Sequence, residues 1–185
     1  ESMGNRIGRI TISGSISGSG TFTKEGAATV TLSGIDPYTG NTTVSAGTMS
    51  LMGSNTGSSS TILASATLNG TGTGGPITAS GGLVSPGLSV GILSGAAADF
   101  SAAGILRIQV QDYGAAGTDF DRLDLGSGAL TTDGASKLLL DLAGLSTTGT
   151  ASGIVLYESH AGAFSTVELV NNPNSYSVCL TYGDS

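Results

Sequence analysis

The sequence predicts an all-β solenoid, a single-stranded parallel β-helix of roughly eight or nine rungs. Short pieces at 21–23, 29–32, 42–45 and 48–51 alternate apolar residues with Ser or Thr. Gly20, Gly26, Gly34, Gly40 and Gly47 fall between them, six to eight residues apart. Helix signals are nearly absent. Strands this short, turned this often, build stacked rungs rather than a two-sheet sandwich, which needs longer strands. At about 20 residues per rung and ~4.8 Å of rise, the chain makes a rod about 40 Å long.

The elements follow in order. Residues 1–12 (ESMGNRIGRITI) end in a short strand and read as a lead-in or N-terminal cap, 13–170 as the β-helix, and 171–185 as a C-terminal strand or cap. Residues 53–66 open as a Gly/Ser loop and return to a strand. Residues 67–95 give further short strands between Gly-rich turns, with Pro76 and Pro86 beside glycines, where a missing amide donor is tolerated. In GILRIQV, Ile105, Arg107 and Gln109 face one way and Leu106, Ile108 and Val110 the other. Residues 111–121 read as a polar loop, and strands are expected at 122–125, 137–142, 154–158, 166–170 and 176–182. AAADFSAA, residues 96–103, is the one helix-like stretch; it is too short to be stable alone and reads as a helical turn or outer loop.

Composition narrows the function. The chain has 185 residues, enough for one domain with a real core, and only 10% are charged. Its 31 glycines have no triplet period, which excludes collagen. The net charge is −7, and the six basic residues are scattered, so no patch exists to neutralise nucleic-acid phosphates or an anionic membrane. No apolar run approaches the ~20 residues of a membrane-spanning helix. Cys179 is the sole cysteine, which rules out an intrachain disulfide. The chain opens at Glu1 without Met or a leader-like stretch, and reads as a processed or excised piece.

GSGTFTKEGAATVTLSGIDPYTGNTTVSAGTMSL resembles the passenger-associated transport repeat of bacterial autotransporters. Gly18, Gly20, Lys24, Gly26, Leu32, Ser33, Gly34, Tyr38, Thr39, Gly40, Thr43, Val44, Ala46, Gly47 and Thr48 fit its pattern. Downstream, Ser85, Pro86, Gly87, Ser89, Gly91 and Leu93 resemble a corner of such passengers, and DFDRLDLGSGAL, KLLLDL, GIVLYES and GAFSTVEL resemble closing rungs. The resemblance covers about residues 13–170. It implies a right-handed parallel β-helix, secreted or displayed on a bacterial surface, and no particular activity, since such passengers serve as adhesins, proteases, toxins and stalks. No translocator-barrel pattern and no inserted protease or toxin domain occur within these residues, so the export route stays open.

Candidate chemistry is sparse. The best cluster is Asp112, Asp119, Asp121 and Asp124, with Asp119 and Asp121 on one face if that stretch is extended. Solvated turn carboxylates offset by Arg107 and Arg122 are the preferred reading. The resemblance adds that closing rungs commonly carry a structural Asp about where Asp121 sits. Asp119, Asp121 and Asp124 as Ca²⁺ ligands, and carboxylate catalysis, are the alternatives. His160, the only histidine, lies in a Gly/Ala turn beside Ser159, with no G-x-S-x-G elbow to make a triad. Gly70, Gly72, Gly74 and Gly75 are turn glycines without a following helix to form a dinucleotide loop. Tyr38, Tyr113, Tyr157, Tyr176 and Tyr182 are too few, with no Trp, for a dedicated lectin platform. Tyr176, Val178, Leu180 and Tyr182 share a strand face and read as packing, while Cys179 faces the polar side and leaves an intermolecular disulfide open.

The expected function is that of a non-catalytic solenoid, extracellular or on a bacterial surface, with no cofactor and no resident metal. It would act as a stalk, an adhesin body or a filament subunit that self-associates through its ends or a terminal strand. A polysaccharide-binding or polysaccharide-cleaving protein on the same scaffold, or one with a host-surface ligand, is the alternative.

Overall fold

The computed structural model describes residues 8–132 and 134–183. These residues form three stacks of parallel strands and no helix. The longest sheet has eight strands: β1 (Arg9–Ile12), β3 (Thr29–Leu32), β5 (Gly47–Leu51), β8 (Ala66–Gly70), β11 (Leu83–Pro86), β14 (Ile105–Gln109), β17 (Lys137–Asp141) and β20 (Thr166–Val170). A second sheet has seven: β2 (Phe22–Lys24), β4 (Thr42–Val44), β7 (Ser60–Leu63), β10 (Ile77–Ser80), β13 (Ala98–Asp99), β16 (Ala129–Thr131) and β19 (Ser159–Ala161). The third has five: β6 (Ser54–Asn55), β9 (Thr73–Gly74), β12 (Ile92–Ser94), β15 (Arg122–Asp124) and β18 (Val155–Leu156). From β5 onward the chain visits the first, third and second sheets in strict rotation. Every strand therefore pairs with the strand one turn away, which is a parallel β-helix, and the eight strands of the longest sheet match the expected rung count.

Alternation explains the interior. Inward residues of the long sheet stack in register, and one column runs its whole length, Ile10–Val30–Met49–Leu68–Val84–Leu106–Leu138–Val167. From Met49 to Leu138 every member is buried. The third sheet adds Leu93 over Leu123, both with no exposure. Burial of such side chains at roughly 25 cal/mol per Å² of apolar surface drives the coil. The orientation predicted for 105–110 holds: Leu106, Ile108 and Val110 are buried, and their neighbours face outward.

The turns are unequal. One circuit takes 19 residues from Thr29 to Thr48, 16 from Thr67 to Leu83 and 32 from Ile105 to Lys137. The long turn holds an excursion over 110–121, pinched by antiparallel bridging of Val110 with Phe120.

Three expectations need correction: first, the turn expected around His160 is the strand Ser159–Ala161, paired with β16. The helical turn or outer loop expected over 96–103 is met only at 101–103, where the Gly104 N–H donates to the Phe100 carbonyl (2.9 Å) and Ala102 and Ala103 are exposed; Ala98–Asp99 is instead a strand paired with β10 and β16, because Ala98 and Phe100 are inward positions of the coil. Residues 176–182 form no strand. Alternation persists there, with Tyr176, Leu180 and Tyr182 partly buried and Val178 exposed, but the backbone crosses the end of the coil without joining a sheet. Its hydrogen bonds come from side chains instead: Asn172 Oδ1 accepts from the Tyr176 N–H (2.8 Å) and Tyr182 Oη from the Phe164 N–H (2.9 Å).

Candidate functional site

The repeat-like residues are committed to the scaffold. Lys24 is buried in the edge strand of the second sheet, at the head of the column Lys24–Val44–Ile62–Ala79. Its stem continues the ladder, and its Nζ donates to the carbonyls of Glu25 (2.9 Å), Gly26 (2.6 Å) and Ala46 (2.9 Å). Burial pulls its pKa below the usual lysine value. Asp36, also buried, accepts from the Ile16 N–H across one turn (2.8 Å). Tyr38 Oη lies 2.6 Å from Thr42 Oγ1 and accepts from Asn55 Nδ2 (2.7 Å), and Thr42 Oγ1 reaches Ser58 Oγ at 2.8 Å. Gly26 and Gly47 sit at φ +69°, a conformation that L side chains rarely adopt. A Cβ on Gly34 would lie 2.6 Å from the Gly14 carbonyl oxygen, and one on Gly40 would strike that of Gly20.

The acidic candidates do not converge. Asp112 accepts from the Tyr113 N–H, Asp119 from Ala115, and Asp124 from Gly126, each a local turn contact. Among the described residues no group of three or more His, Cys, Asp or Glu side chains is placed to hold a metal ion. Asp121 stands apart. It is 1% exposed, and its two oxygens accept from the Gly91 and Gln109 N–H groups, both at 2.8 Å. It thereby fastens the end of the 110–121 excursion to two neighbouring segments. Desolvation pushes its pKa up to about 6, outweighing the two backbone hydrogen bonds and Arg107. Asp141, also buried, pairs with Arg107 and accepts from Asn171 Nδ2 (2.8 Å) and the Ala143 N–H (3.1 Å). Burial pushes Asp141 upward, but these donors prevail and hold it below the usual carboxylate value.

The remaining candidates are packing elements. His160 lies between two rings, 5.4 Å from Tyr157 and stacked on Tyr182 at 5.2 Å. Tyr38 is interior, and Tyr113 donates to the Thr147 carbonyl at 3.1 Å. Glycines of 70–75 let rungs approach: Gly70 exchanges backbone hydrogen bonds with Gly87 (3.1 and 2.7 Å), and a Cβ on Gly72 would meet the Gly53 carbonyl. Cys179 is exposed, at the rim of a cavity of about 490 Å³ beneath the C-terminal crossing segment.

A second cavity, about 420 Å³, lies on the outer face of the long sheet. It brings together Asn69, Arg107, Gln109 and Asp121, a grouping the sequence reading did not make. Asn69 and Arg107 are 38 positions apart and line one groove because their strands flank β11 in the long sheet. Their outward alternation was the one available signal.

Lys24, Asp36 and Asp121 thus use polar atoms to bind the backbone of the coil itself. Residues 22–51 match the passenger-associated-transport-repeat family. Lys24, Gly26, Gly34, Asp36, Tyr38, Gly40 and Gly47, whose structural roles are described above, all lie inside that match. A repeat of this kind marks a secreted or surface protein. No curated protein matches the chain. No helix of the described residues is long and apolar enough to cross a membrane.

Proposed function

We propose that the chain is a non-catalytic structural solenoid of a bacterial extracellular or cell-surface protein, serving as a stalk or adhesin body that can assemble end to end. The observation that carries this reading is the use of the polar interior. Lys24, Asp36, Tyr38 and Asp121 all serve backbone or neighbouring side-chain groups of the coil, and a reaction centre would need such groups free and convergent. The ends supply the assembly argument. Ile10 and Val167 terminate the same inward column, and each is exposed, at 56% and 37%. Their strands, β1 and β20, are the two edges of the long sheet among the described residues, and edge strands are sites of strand addition. Pairing the β1 edge of one copy with the β20 edge of another would continue the ladder of the long sheet, with the 176–182 segment displaced from the end it crosses. Negative-stain microscopy with light scattering tests this: rods that lengthen with concentration are expected. Monodisperse monomers at high concentration would sink end-to-end assembly, and globules would sink the rod itself.

A second reading is favoured by the outer groove beside Arg107. A surface protein with a polar trench suits a saccharide ligand, bound rather than cleaved.

A further inference from the structure

The groove has a built architecture. Its floor is β11, whose outward Ser85 and following Gly87 are small, between Asn69 on β8 and Arg107 and Gln109 on β14. Neighbouring strands lie about 4.8 Å apart, so Asn69 and Arg107 stand about 10 Å apart across a low strand. The result is a trench running along β11. Leu83 lines the floor, and Leu88, 55% exposed, rises from the corner after Pro86.

The polar side chains at its edges are held in place. Ser50 Oγ donates to Asn69 Oδ1 (2.6 Å), which fixes the amide and leaves Nδ2 as a donor. Arg107 is tied at one guanidinium nitrogen to Asp141, which Asn171 and the Ala143 N–H fix in turn. The other guanidinium N–H groups keep a set plane, on a side chain 42% exposed. Gln109 adds an amide with both donor and acceptor. Asp141 offsets the charge of Arg107, and Asp121 lies beside it, so the trench carries no surplus positive charge and does not suit a uronate, sulfate or phosphate chain. Planar amide and guanidinium groups match vicinal hydroxyls, and Leu83 and Leu88 offer apolar contact for the C–H face of a sugar ring.

We propose that this trench is a binding site for a neutral oligosaccharide. The assignment rests on the surface-protein reading above and gives that protein a ligand class.

The test begins with an array of neutral and anionic glycans, followed by NMR titration of the isotope-labelled full chain with neutral tetrasaccharides, tetragalacturonate serving as the anionic control. A neutral tetrasaccharide is expected to shift amide signals at 67–69, 83–89 and 107–109. The Asn69→Ala/Gln109→Ala variant, with unchanged circular dichroism, should bind it at least tenfold more weakly. If this pair unfolds the chain, Leu88→Asp on the exposed corner replaces it, with the same loss expected. No neutral ligand, shifts confined to other residues, preference for tetragalacturonate, or binding indifferent to these substitutions would each overturn the assignment. Rods seen in the microscope alongside any such result would leave the structural reading standing.

Discussion

Lys24 Nζ donates to the carbonyl oxygen of Ala46 at 2.9 Å, joining two residues one circuit of the coil apart. The same ammonium serves the Glu25 and Gly26 carbonyls, so one charged group satisfies the turn at the head of the second sheet. Hydrogen bonds from charged donors are the stronger ones, and a buried carbonyl left without a donor is costly. Lys24→Met keeps the apolar stem and removes the donors. It is expected to lower unfolding stability by about 3 kcal/mol in urea titration. Equal stability would show that the lysine is dispensable to the turn.

The glycines of the repeat divide into two kinds. Gly40 has the Gly20 carbonyl oxygen where its Cβ would stand, whereas a Cβ on Gly20 meets nothing within 4 Å. Gly40→Ala should destabilise by about 2 kcal/mol or more, since the obstacle is backbone of the preceding rung. Gly20→Ala should change stability by no more than about 0.5 kcal/mol. Thermal melts of the two variants side by side check the contrast.

Asp121 sets a pH dependence. Its pKa in the folded chain, about 6, lies above the ordinary 3.8. Folding therefore favours the protonated form, and the group's contribution is fully present below pH 3.8 and is lost as the pH rises through 6. The upper bound is about 3 kcal/mol. Asp141 acts oppositely: its lowered pKa supplies stability above the ordinary carboxylate value that is lost as the pH falls through the folded one. Between pH 4.5 and 7.5 the Asp121 contribution should dominate the slope. Denaturation in that window should show the wild type weakening with rising pH and Asp121→Asn nearly flat by comparison. Parallel slopes for the two proteins would contradict the assignment.

Cys179 is exposed on the segment that crosses the C-terminal end of the coil. A maleimide should label it in the native protein at one equivalent without denaturant. If end-to-end assembly brings two such segments together, mild oxidation should give a dimer on a non-reducing gel that Cys179→Ser abolishes. Monomer alone would remove the intermolecular disulfide.

The coil was legible because its signal is local and repeated. Thr166–Val170 falls where the alternation placed it, and Gly34 and Gly40 mark the close rung contacts that forced them to be glycine. Ala98 misled because its neighbours Ala96 and Ala97 suggest helix propensity, and the rung on either side decided otherwise. Residues 176–182 misled because alternation reports which side chains turn inward, and says nothing of whether a partner strand is there to pair with. The groove was hidden for a different reason. Asn69 and Arg107 become neighbours only through the register, and each looks like an ordinary outward polar residue in its own strand.

The unequal circuits give the rod an internal ruler. Each rung touches little beyond its two neighbours, so a chain drawn out from its C-terminal end should unravel one loop at a time. The intervals between register partners then become a sequence of contour lengths: 29 residues for the last full loop, 32 for the one before it, 22 next, then 16. A force–extension trace would carry those increments in that order, and reading them would report how far along the axis the rupture had travelled.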